Sequence, residues 1–237
     1  MPHEFKIERE VVLPVSPDEV FAAVTTGTAA WMFPTGGRDD IDGTSPEAGP
    51  VVTWNPPSEF AVRVEDDGWF NALEYVIEAR DGGTAAIRYV HSGIFVDDWD
   101  NQYDGASKHT DFYLHSLGQY LRYFSGRPVT YVSVAGPVAS GTPDAMSALH
   151  RAIGLGEGAV VGDSVKFDLP GAGSIDAVVD YVNPYFLGLR GDDALYRFYG
   201  RNHFGGTVDA AHHIFADGVD EAATQQAWQT WLDAVYA

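Results

Sequence analysis

The sequence predicts an α+β protein of two domains in tandem, each a curved antiparallel sheet wrapped around a long C-terminal helix. Three observations predict it. Strand-like alternation recurs along the chain and gives way twice to a long amphipathic segment. Each pass opens with a strand and a proline-initiated helix. Ser16-Pro17-Asp18-Glu19-Val20-Phe21-Ala22 and Thr142-Pro143-Asp144-Ala145-Met146-Ser147-Ala148 align without a gap at an offset of 126 residues, from 16 to 142. Between the passes stands Ser125-Gly126-Arg127-Pro128, with glycine past a helix end and proline just beyond. The expected domains are residues 1–126 and 127–237.

The first strand is expected over Phe5 to Val15. Phe5, Ile7, Val11, Leu13 and Val15 share one parity, which Arg9 interrupts, and Lys6, Glu8 and Glu10 share the other. Ser16 as N-cap, Pro17 at the first position and Glu19 closing a capping box start a short helix over Val20 to about Val24. The aromatic turn Trp31-Met32-Phe33-Pro34 follows, then a Gly/Asp-rich stretch, Gly36 to Gly49, read as loop. Antiparallel strands come next. Val51 to Trp54 is short; Phe60, Val62 and Val64 alternate with Ala61, Arg63 and Glu65; Leu73, Tyr75, Ile77 and Ala79 alternate with Glu74, Val76, Glu78 and Arg80. Asp81-Gly82-Gly83 then turns the chain into Ala85, Ile87, Tyr89 and His91, a strong hairpin signal. Asp97 to Ser107 reads as an acidic loop, and Thr110 to Phe124 as the closing helix, with Leu114, Leu117, Leu121 and Phe124 as its stripe.

The second pass expects a strand over Val129 to Val134 and a helix with Thr142 as N-cap. Strands follow at Ser164–Leu169, Ile175–Val182, Tyr185–Arg190, Ala194–Gly200 and Thr207–Phe215. A last helix covers Glu221 to about Val235 with Trp228, Trp231, Leu232 and Val235 as its stripe.

Composition narrows the function classes. Hydrophobic residues make up 45% and aromatics 13%, enough for a core. There is no cysteine, which excludes disulfides, thiolate metal sites and a cysteine nucleophile. Thirty-four acidic residues face 14 basic ones, net −20, with lysine only at Lys6, Lys108 and Lys166. Such a surface repels nucleic acid and anionic membranes, and it serves solubility or, alternatively, a salty environment. The opening MPHEFKIERE lacks the pattern of a secretory signal, and no apolar run reaches the roughly 20 residues of a membrane helix, so the cytoplasm is the expected compartment.

The first half resembles the START/SRPBCC superfamily, the helix-grip fold shared with birch-pollen allergens, and within it the AHSA-like branch, named after an activator of a heat-shock chaperone ATPase. The resemblance rests on Ile7 to Val24 with Val15-Ser16-Pro17-Asp18-Glu19-Val20-Phe21, on the Trp31 turn, on Gly83-Thr84 before Ile87 to His91, and on the Leu117 to Leu121 helix. It covers roughly residues 5–125. In the second half, Gly162-Asp163-Ser164-Val165, Gly188 to Gly200 and His212-His213-Ile214-Phe215 resemble the companion half of two-domain members. The sequence departs from the branch at Trp99 to Gly105, where the segment before the last helix is longer. The resemblance implies a small hydrophobic or aromatic ligand between sheet and helix, and no cofactor.

A ligand cavity of this kind would present Tyr75, Ile77, Tyr89 and His91 from the sheet and Phe112 and His115 from the helix, with Trp31, Phe33 and Trp54 at the mouth. The same aromatics would equally fill a core. His91 and His115 could meet there as acid and base beside Tyr89, the catalytic candidates of a cyclase- or aromatase-like enzyme; a hydrogen-bonded structural histidine is the plainer reading of each. His212 and His213, adjacent on one strand, point to opposite faces and do not chelate one metal. No HExxH, GxSxG, GxGxxG or Walker pattern occurs, and Asp97, Asp98, Asp100 and Asp104 lack the spacing of a calcium loop, so no metal site is expected. Gly154 to Gly158 reads as a flexible loop. Three functions compete: binding of a small hydrophobic molecule, catalysis by His91, His115 and Tyr89, and a co-chaperone-like interaction module, with a homodimer compatible with each.

Overall fold

The computed structural model describes residues 3–35, 50–95, 97–171 and 173–237. The Gly36–Gly49 stretch lies outside the described residues. The chain divides into two compact units, Met1–Gly126 and Arg127–Ala237. Each holds an antiparallel sheet with helices, ending in a C-terminal helix, so the architecture is α+β.

In the first unit β1 (His3–Leu13) leads to α1 (Pro17–Thr25), then β2 (Val51–Asn55), β3 (Glu59–Asp66), β4 (Trp69–Arg80), β5 (Thr84–Phe95) and α2 (Trp99–Tyr123). Among the described residues the strand order is β1-β5-β4-β3-β2. The capping box forms: Ser16 Oγ accepts from the Glu19 N–H at 3.4 Å, and Glu19 Oε2 accepts from the Ser16 N–H at 3.1 Å. At the β4–β5 hairpin Gly82 and Gly83 both sit at φ +76°, which a side-chain-bearing residue adopts only with strain.

The closing helix starts eleven residues earlier than expected, at Trp99 rather than Thr110. The acidic segment read as loop is its first turns. Aspartate, asparagine and glycine are weak helix formers, but local and tertiary contacts outweigh that preference. Asp98, in the left-handed region at φ 42°, accepts from Asn101 Nδ2 through its side chain and from the Gln102 N–H through its carbonyl. Trp99 stacks on Tyr103 and Asp104 pairs with Lys108, both one turn apart, and Trp99 Nε1 donates to Glu4 O of β1.

The core of the first unit lies between sheet and helices. Ile7, Val20, Val24, Ile87, Phe112 and Leu117 show no exposed surface, and Leu13 and Phe60 only 1%.

The second unit contains β6 (Thr130–Val134), α3 (Ala145–Ala152), β7 (Ser164–Leu169), β8 (Gly173–Val182), β9 (Phe186–Arg190), β10 (Ala194–Gly200), β11 (Val208–Ile214) and α4 (Glu221–Val235). Its order is β6-β11-β10-β9-β8-β7. The helix expected from Thr142 begins at Ala145. Thr142 stays extended, and its carbonyl accepts from Ala145 N and Asn202 Nδ2, so it ends a turn rather than capping a helix. Trp228 and Trp231 of α4 pack on Phe167 and Phe198.

Candidate functional site

The α2-facing side of the first sheet follows from register. Trp54 pairs with Phe60, Phe60 with Tyr75, Tyr75 with Tyr89, and Tyr89 with Arg9, so these five residues form one row across five strands. Arg9 Nε donates to Asp111 Oδ1 of α2 at 2.6 Å, and its Nη2 donates to Ser107 Oγ at 2.9 Å. The row therefore lies on the face that α2 covers. Arg9 breaks the apolar parity of β1 because it ties the strand to the helix.

The ring spacings are 5.7 Å from Trp54 to Phe60, 5.9 Å from Phe60 to Tyr75 and 5.2 Å from Tyr75 to Tyr89. Phe21 of α1 joins at 5.2 Å from Trp54 and 6.4 Å from Phe60. These are the separations at which aromatic rings attract through offset and edge contacts. Phe60 and Tyr75 are buried and Trp54 is half-buried.

Two parallel rows flank it. Val62, Leu73, His91 and Ile7 form one; Ile77, Ile87 and Val11 form the other. Trp54, Tyr75, Ile77, Tyr89 and His91 thus share the face toward α2. Trp31 is not at a mouth: it is 1% exposed, and its indole Nε1 donates to Ala23 O at 2.9 Å. Phe33, 43% exposed, lies 6.1 Å from Tyr113.

The helix residues divide. Asp111 against Arg9 and Gly118 beside Leu13 mark the flank of α2 turned to β1. Phe112 sits about 100° round the axis from Asp111 and shows no exposed surface, on the buried side of α2. His115 sits one turn beyond Asp111, toward the Leu13 end, on the shoulder of the flank.

His91 lies at the level of Ile7, on the other side of Arg9. Two residues of strand and one turn of helix separate the histidines by about 12 Å along the axis. The expected convergence of His91 and His115 is therefore not found. His91 Nε2 bonds Asn71 Oδ1 at 2.7 Å, which places the proton on Nε2, and its ring meets the Phe5 ring edge-on at 4.9 Å. Burial pulls its pKa down to about 4, so the ring is neutral near pH 7. This is a hydrogen-bonded structural histidine.

A concavity opens on the opposite face of the sheet. Thr53, Glu59, Ala61, Arg63, Glu74 and Arg88 border a groove of about 440 Å³ floored by buried Ala61 and Ala72. In the second unit the parity of β11 puts His212 and His213 on opposite faces, both fully buried. His212 Nδ1 accepts from the Arg197 N–H, its ring centroid is 3.9 Å from that of Trp228, and burial holds its pKa well below the usual value. Arg197 grips Asp180 with two bonds of 3.0 Å.

Sequence reasoning passed over Phe21 and Phe60 as members of the row, and Asn71 as the partner of His91. The signal for Phe60 was present: it shares the parity of Val62 and follows the turn after Trp54. Phe21 and Asn71 carried none, since they join the others only through tertiary packing.

No protein-family model matches the chain, and no curated protein matches it. Among solved structures the chain is similar to DynU16, from the dynemicin biosynthetic locus, at 13% identity over 98% of this chain and 95% of that one, with a TM-score of 0.39. It is also similar to Aha1 from Colwellia psychrerythraea, solved as a dimer, at 17% identity over 52% and 99%, TM-score 0.39. An AHSA1-like protein from Rhizobium etli matches at 23% identity over 54% and 86%, TM-score 0.36. At these identities and scores the likenesses carry no argument about function, and the fold rests on the strand orders and helices of the chain itself.

Proposed function

We propose that this chain, a two-unit protein with a helix-grip architecture similar to the AHSA1-like proteins, binds a small aromatic or hydrophobic molecule in its first unit. The observation that supports this is the row Trp54–Phe60–Tyr75–Tyr89, a continuous aromatic wall on the helix side of the sheet whose outer member, Trp54, is half-buried. Trp54, the half-buried outer member, marks the end at which a ligand enters. Catalysis by His91 and His115 has no support from their positions.

The second unit reads as a divergent copy of the first, with the domains proposed at 1–126 and 127–237. In both, the opening strand pairs with the last strand of the sheet and the others follow in descending order. The interaction-module reading draws on a separate observation, the groove on the outer face of β2, β3 and β4. Titration of the full chain with naphthalene and indole, followed by tryptophan fluorescence, tests the proposal. Saturable binding that Trp54→Ala weakens supports it, and no saturable response to either compound overturns it.

A further inference from the structure

We propose that the second unit carries its own binding site, for a monocarboxylate with an apolar body, in the cleft between α3, the Leu155–Ala159 loop and the β8–β9 turn. The cleft encloses about 650 Å³, within the roughly 300–1,000 Å³ of small-molecule sites. Its apolar walls are Leu155, Ala159, Val182 and Pro184.

Its polar side offers mainly donors. Ser147, His150 and Arg151 stand on one face of α3, at steps of three and four. Arg151 forms no ion pair among the described residues, in a chain with 34 acidic residues to 14 basic. His150 Nε2 is buried and has no hydrogen-bond partner among them, an unmet polar group in the cleft wall that a turn of the ring brings to a ligand. The N–H groups of Gly156, Glu157, Gly158 and Ala159 donate to no group among the described residues, and the loop is anchored to α3 by Leu155 N on His150 O at 2.8 Å.

A guanidinium, an imidazole and successive backbone N–H groups converging on one cleft recognise an anion. Glu157, exposed at the rim, and the net charge of −20 oppose a second negative charge, which favours a carboxylate over a phosphate dianion. The apolar walls then take the remainder of the molecule.

The test is calorimetric titration of the full chain with octanoate, 1-octanol and inorganic phosphate. Octanoate is expected to bind saturably and more tightly than either of the others. Arg151→Gln, at an exposed position that leaves the fold intact, is expected to weaken it about tenfold or more, while Trp54→Ala leaves it unchanged. The proposal is overturned if octanoate does not bind, if 1-octanol or phosphate binds as well, or if Arg151→Gln has no effect. Octanoate binding lost in Trp54→Ala and kept in Arg151→Gln would move the site to the first unit, leaving the aromatic wall supported and this cleft without a role.

Discussion

Replacing Phe60 by alanine removes the ring at the centre of the aromatic wall. Phe60 is 1% exposed and is surrounded by the rings of Trp54, Tyr75 and Phe21 at 5.7, 5.9 and 6.4 Å. A buried phenylalanine cut to alanine costs about 3–5 kcal/mol, depending on how far the hole collapses. Here β3 is held by β2 on one side and β4 on the other, so collapse is limited and about 4 kcal/mol is expected. Native-state hydrogen exchange of the β4 and β5 amides reads the first unit separately from the second. Their protection should fall by about three orders of magnitude, since each 1.4 kcal/mol is tenfold. Benzene should refill the gap and, at about a hundred times its dissociation constant, return about 2.7 kcal/mol. A loss below about 1 kcal/mol would show that the ring is not packed as described. A full loss that benzene does not reverse would refute the rigidity of the wall.

Three further outcomes follow from particular residues. Asp180→Ala strands the fully buried Arg197 and should cost about 3–5 kcal/mol by urea denaturation, while a paired Asp180→Leu, Arg197→Met exchange should cost far less; equal costs would contradict the ion pair's role. Gly188→Ala should destabilise as well, because a Cβ there would stand 2.3 Å from Asp180 Oδ1 and 2.8 Å from Arg197 Nη1; a neutral result would mean the pair is loosely held. His91, whose folded pKa of about 4 lies below its ordinary value, makes the unfolded chain bind more protons as pH falls from about 6.5 to 4. Stability is therefore full above about pH 6.5 and lost below it, by an amount on the order of 2 kcal/mol for a half-buried ring; His91→Gln should flatten that acid limb, and parallel pH curves would refute it.

Much of the fold was legible in local pattern. The capping box at Ser16 and Glu19 and the Asp81-Gly82-Gly83 turn act through neighbouring residues, so sequence alone places them. The start of α2 was not legible, because Trp99 to Ser107 is poor in helix formers and is held by Trp99 on β1 and by Arg9 on Ser107, across 95 and 98 residues. The face of the candidate site was readable from the parity of Tyr75, Ile77, Tyr89 and His91, but Phe21, which joins it from α1, was not. Trp31, expected at the mouth, is buried instead, because the partner of its indole, the Ala23 carbonyl, has no sequence signature. Arg197 and Asp180 were missed although parity allowed them: they meet over Gly188, whose missing side chain makes the room.

Native mass spectrometry of the full chain, purified and then re-exposed to the small-molecule fraction of its host lysate, tests small-molecule binding most directly. A bound mass that leaves on denaturation, and that Trp54→Ala diminishes, is the expected result. A bare chain in every spectrum, with tryptophan fluorescence unmoved by aromatic compounds, would contradict it and leave the outer groove of the first sheet as the surface to explain.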